Sequence, residues 1–107
     1  MVQSFGKVVV AAAGTPVRIT TNRPQPTNHV PLQSVSVQAL SGNSGANIYV
    51  GGPGLVKATL VDCYAIVLKG SLVPIVINLA PASINGEDIY IDADSSGDAA
   101  LVSGTVQ

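Results

Sequence analysis

Ser34-Val-Ser-Val-Gln-Ala39 alternates polar and apolar side chains at every step. The same two-residue beat returns at Asp88-Ile-Tyr-Ile-Asp-Ala93 and, more apolar throughout, at Pro74-Ile-Val-Ile-Asn-Leu79. Successive side chains of a strand point to opposite faces, so this beat predicts sheets with one buried and one wetted face. No segment holds a helical period of similar quality. Strands also fail to alternate with helices, which argues against a parallel α/β sheet. Val, Ile, Leu and Ala supply the apolar mass, and β-branched side chains suit pleated, half-buried positions because their rotamers are stiff.

Turn chemistry divides the chain. Residues 7–13 read as a first strand, broken by Gly14-Thr-Pro16 before Val17 and Ile19 resume alternation, the pattern of a hairpin. Residues 32–40 and 47–50 flank Ser41-Gly-Asn-Ser-Gly45, and the spacing predicts a second hairpin. Gly51-Gly-Pro-Gly54 reads as the turn that ends it. Residues 55–68 fit one long bent strand or two strands, and residues 72–79, 87–93 and 99–106 read as further strands separated by turns. About eight short strands spaced by Gly, Asn, Ser and Pro predict an all-β, single-domain antiparallel β-sandwich over residues 1–107, jelly-roll-like in topology. Val35, Val37, Ile48, Val50, Ile75, Ile77, Ile89 and Ile91 form the expected inward face.

Charge narrows the partners. Five Lys or Arg against six Asp or Glu leave a formal net charge of −1, which gives no general attraction to nucleic acid or to an anionic membrane. Charged residues make up 10% of the chain against a usual share of about 25%, an unusually low share for the surface of a free monomer. With 107 residues a monomer buries only about 60 to 65% of its unfolded surface, so a homo-oligomer is expected. The apolar runs are well short of the roughly 20 residues a membrane helix requires. The polar start followed by a short apolar run is not a signal peptide, and the lone Cys63 reads as a buried, inert thiol in a chain made in the cytosol.

Two segments stand apart. Residues 21–31 carry three prolines with Arg23 and His29, and Pro cannot donate to a hydrogen-bond ladder, so an extended arm is expected there. Such an arm is stiff before it binds and loses less entropy when laid on a neighbour. Residues 1–7 read as a second, N-terminal arm, and Phe5, Arg23, Pro24, Pro26 and His29 are the expected interface residues.

Catalytic chemistry finds little support. His29 is the only histidine and has no nucleophile or carboxylate around it in a recognisable local pattern. Cys63 beside Asp62 lacks the electropositive setting of a reactive thiol. Gly51-Gly-Pro-Gly54 lacks the GK[ST] ending of a phosphate loop. Asp88, Asp92, Asp94 and Asp98 read as a solvated face with local Asx turns, although Asp94 with Asp98 could close on a hard cation through one loop. Tyr49, Tyr64 and Tyr90 look too dispersed to make a stacking platform. No enzyme, cofactor or resident metal is expected.

Two passages, Asn43-Ser-Gly-Ala-Asn-Ile-Tyr-Val-Gly51 and Leu79-Ala-Pro81 leading to Asp88-Ile-Tyr-Ile-Asp-Ala-Asp94 and Gly97-Asp98, resemble small structural proteins of tailed bacteriophages. The chain departs from them between Pro81 and Gly86, where Ala-Ser-Ile-Asn replaces an acidic or Gly-rich turn. The resemblance implies a compact, often trimeric β-sandwich of the virion, and a homotrimer is the favoured assembly on that ground. Such a protein decorates or cements the head by binding the lattice of the major capsid protein, or else forms a tail, baseplate or fibre-base part. A carbohydrate-binding β-sandwich is a further expectation, weakened by the absence of Trp.

Overall fold

A computed structural model describes residues 2–20, 31–69, 75–78, 84–85 and 88–106. Among them are nine strands: β1 (Val2–Val9), β2 (Val17–Arg18), β3 (Pro31–Ala39), β4 (Asn47–Val56), β5 (Val61–Leu68), β6 (Ile75–Asn78), β7 (Ile84–Asn85), β8 (Tyr90–Ala93) and β9 (Ala99–Val106). One sheet has the order β1-β9-β3-β6, with β7 pairing the start of β3, and the other has the order β2-β8-β4-β5. Every pairing is antiparallel.

Leaving aside the two-residue β7, the first four strands pair in reverse order with the last four: β1 with β9, β2 with β8, β3 with β6 and β4 with β5. The chain is thus one long double ribbon. Rolling that ribbon adds the pairs β3–β9 and β4–β8 and produces two sheets face to face, the jelly roll expected from the sequence.

The inner faces meet in a core of Val8, Leu32, Val35, Val37, Ala100 and Val102 from the first sheet and Ile48, Val50, Val67, Ile91 and Ala93 from the second. Bulges adjust which residues reach it. In β1 the register shifts between Ser4 and Gly6, so Phe5 is an extra residue that turns inward, and Val8 three residues later turns inward too. The same device between Leu32 and Ser34 lets Leu32 and Val35 share the core.

Several local expectations are corrected. Residues 1–7 are not a free arm from Val2 onward, because β1 pairs with β9 along its length. Phe5 is 3% exposed, so its ring is part of the core and not of an interface. Neither early hairpin forms: β1 and β2 lie in different sheets, and so do β3 and β4. The reason is the core itself, since Val37 and Ala39 must face Ile48 and Val50 across the sandwich, which sends the chain over an arch at residues 40–46. Gly51-Gly-Pro-Gly54 does not end a strand but lies within β4, where the register against β5 slips. Residues 55–68 are two strands, the end of β4 and all of β5, around a turn at 57–60. On the inward face, Ile75 is exposed and Ile77 only partly buried, because β6 is the edge of its sheet. Cys63 is half-buried.

Candidate functional site

The polar residues gather where the arch at residues 40–46, the turn at 94–98 and the loop at 10–16 meet. Asn43 is buried there: its Nδ2 donates to the Ala99 carbonyl, and the Ala99 N–H donates to its Oδ1, both at 2.9 Å. Asp98, also buried, accepts the Ser44 and Gly45 N–H groups at 2.8 Å each, one on each carboxylate oxygen. Asp92, 1% exposed, accepts the Gly14 N–H at 3.0 Å and its neighbour Ala93 N–H at 2.8 Å through one oxygen. Ser96 Oγ accepts the Ala13 N–H at 3.0 Å, while the backbones of Val10, Gly97 and Asp98 exchange two further bonds of 2.8 Å.

This geometry corrects the expectation of a solvated acidic face, because two of its four aspartates are buried among backbone amides. A buried carboxylate is tolerable when several N–H groups replace its water, and loops whose amides are spent on it become rigid. Asp94 is exposed and binds side chains instead: the Tyr49 hydroxyl donates to Oδ1 at 2.9 Å and Asn47 Nδ2 to Oδ2 at 3.0 Å. That carboxylate acceptor, with a contribution from burial, raises the Tyr49 pKa above its ordinary 10.0. An open cleft of about 380 Å³ beside this end is lined by Lys7, Leu40, Ser41, Gly42, Asn43, Gly97 and Ala99. Among the described residues, no group of three or more His, Cys, Asp or Glu is placed to hold a metal ion. The cluster locks turns together: Asp94 and Asp98 commit both carboxylate oxygens, and Asp92 one, to amides and a hydroxyl of the fold.

Two surfaces are chemically distinct from this end. On the outer face of the second sheet, Tyr49 stands between buried Ile48 and Val50, and Tyr90 between buried Ile89 and Ile91, so both project outward. Tyr64 lies exposed on β5, and burial, then the nearby charges of Asp62 and Asp88, raise its pKa. The fold therefore gathers onto one sheet three tyrosines that the sequence scatters. Arg18 Nε donates to the Tyr90 hydroxyl at 2.8 Å; its guanidinium carbon is 5.7 Å from the ring centroid, so the hydroxyl bond rather than ring stacking defines the contact.

The second surface runs along β5 and β6, the edge strands on one side of the sandwich. Leu68 is 64% exposed and Val76 61%, and Val61, Tyr64, Ile66 and Ile75 are exposed beside them. Of the expected interface residues, Phe5 is in the core, while Arg23, Pro24, Pro26 and His29 lie outside the described residues. Sequence reading missed the β5 face because its run of apolar residues looks the same whether both sides are buried or one is bare.

No protein-family model, curated protein or solved structure matches the chain.

Proposed function

We propose that this protein is a structural subunit of a bacteriophage particle, a decoration or cement protein that binds the major capsid protein lattice as a symmetric oligomer. The observation that carries the reading is an apolar flank on a jelly roll in which only 10% of residues are charged. Viral structural proteins are among the users of this architecture, although fold alone does not fix function. The passages that resemble phage structural proteins also meet in space, through the Asp98 bonds to Ser44 and Gly45. The mechanism is thermodynamic: a subunit that binds only the assembled shell stabilises it by mass action, and many copies each add a modest contribution.

The test is to separate particle heads from tails and count this chain in each by quantitative mass spectrometry. A head location near the copy number of the main shell protein supports the reading. A few copies confined to tails make it a tail, baseplate or fibre-base part, and absence from both removes the virion reading.

A second reading is favoured by Tyr49, Tyr64 and Tyr90 on one sheet, because lectins also use jelly rolls and sugars pack on aromatic rings. A glycan array without a hit retires it.

A further inference from the structure

We infer that two copies of this chain join edge to edge through β5, pairing antiparallel about a two-fold axis near Ile66. An edge strand presents backbone N–H and C=O groups that invite another strand, and proteins usually protect long edges with charge, proline or cover. β5 is eight residues long, contains no proline, and has Asp62 as its one charged residue, whose carboxylate already accepts the Gly54 N–H at 3.0 Å.

The side chains fit a second copy. Directly opposed residues of an antiparallel pair share a face, so centring the pair on Ile66 sets Ile66 against its equivalent and Tyr64 against Leu68 of the other copy. All three are exposed, at 42% for Tyr64 and Ile66 and 64% for Leu68. The same register brings exposed Lys69 of one copy to the Asp62–Cys63 end of the other, so charges of opposite sign meet across the seam. An isologous contact of this kind closes at two copies. Val76 and Ile75 on β6 extend the same side.

The inference stands apart from the particle reading, since it concerns the purified chain. Light scattering after size exclusion is expected to give the mass of two chains for the wild type. Ile66→Lys is expected to give one chain with an unchanged circular dichroism spectrum, because its side chain is not in the core. In a Cys63→Ser background, Ile66→Cys should oxidise to a disulfide-linked dimer and Leu101→Cys, exposed on the other sheet, should not. A monomeric or three-chain wild type, a dimer indifferent to Ile66→Lys, or equal crosslinking at both cysteines overturns it.

Discussion

Asn43 and Ala99 are joined by two hydrogen bonds of 2.9 Å, so the side-chain amide of an arch residue imitates the backbone of a neighbouring strand at the start of β9. The Ala99 carbonyl also accepts the Leu40 N–H at 3.3 Å, whereas the Ala99 N–H donates to Asn43 Oδ1. Asn43→Ala therefore leaves a buried donor unsatisfied, which costs about 1–3 kcal/mol. Urea unfolding is expected to show a lower midpoint at an unchanged slope. An unchanged midpoint would mean that water replaces the amide.

Asp98 holds the same arch through Ser44 and Gly45, so it is not independent of Asn43. Asp98→Asn keeps one acceptor and turns an NH₂ toward the other amide, and losing a charge-assisted bond costs about 1.5–3 kcal/mol. Residues that clamp one loop couple. The double variant with Asn43→Ala is expected to lose less than the two single losses together, and strict additivity in a double-mutant cycle would refute a shared clamp.

Gly51 shows why part of the fold was hidden from sequence reading. Four residues of Gly and Pro normally signal a turn, yet here a Cβ at Gly51 would collide with the Asp62 backbone carbonyl and come 2.9 Å from Leu55 Cδ1. The glycine is there for close approach of the folded-back β4–β5 connection, a need that arises only once the strands are paired. Gly51→Ala is expected to destabilise by about 1–3 kcal/mol, while Gly42→Ala, with nothing within 4 Å of its Cβ, is expected to be near neutral. Thermal melts of the two variants decide this, and equal stability would contradict the packing.

What the sequence did reveal follows from local periodicity. The alternation through Val35 and Val37, through Ile48 and Val50, and through Ile89 and Ile91 places all six side chains in the core, where they are found. Pairing depends on partners far along the chain, so the turn after β3 looked like a hairpin although it crosses between sheets. Burial of Asp92 and Asp98 was illegible for the same reason: their amide donors come from positions 78 and 54 residues away for Gly14 and Ser44. Phe5 was misread because the β1 bulge breaks the two-residue count just where it turns inward.

Val37 and Leu101 separate core from surface on neighbouring strands of one sheet. Val37 is fully buried, and Asp there would place a carboxylate among aliphatic side chains, a change in the class that unfolds a marginal domain. Leu101, 47% exposed, faces out. Val37→Asp is expected to give an unfolded chain by circular dichroism, and Leu101→Asp to stay within about 0.5 kcal/mol of wild type. A folded Val37→Asp variant would show that the inward face is wrongly assigned.

Tyr49 ties stability to alkaline pH. Its hydroxyl is a donor to Asp94 and its pKa is raised above 10.0, so the folded chain holds this proton more tightly than the unfolded one. The stabilisation is complete below pH 10.0 and is lost as pH rises through the folded value, because the phenolate cannot donate and repels the carboxylate. Tyr64 shifts in the same direction, chiefly through burial, and steepens the decline. Tyr49→Phe is expected to be less stable than wild type at about pH 8 by about 1 kcal/mol. Because it has no proton to lose there, the gap should narrow in urea titrations carried toward about pH 11. A gap that stays constant across that range would show that the Tyr49–Asp94 bond does not hold the proton in the folded state.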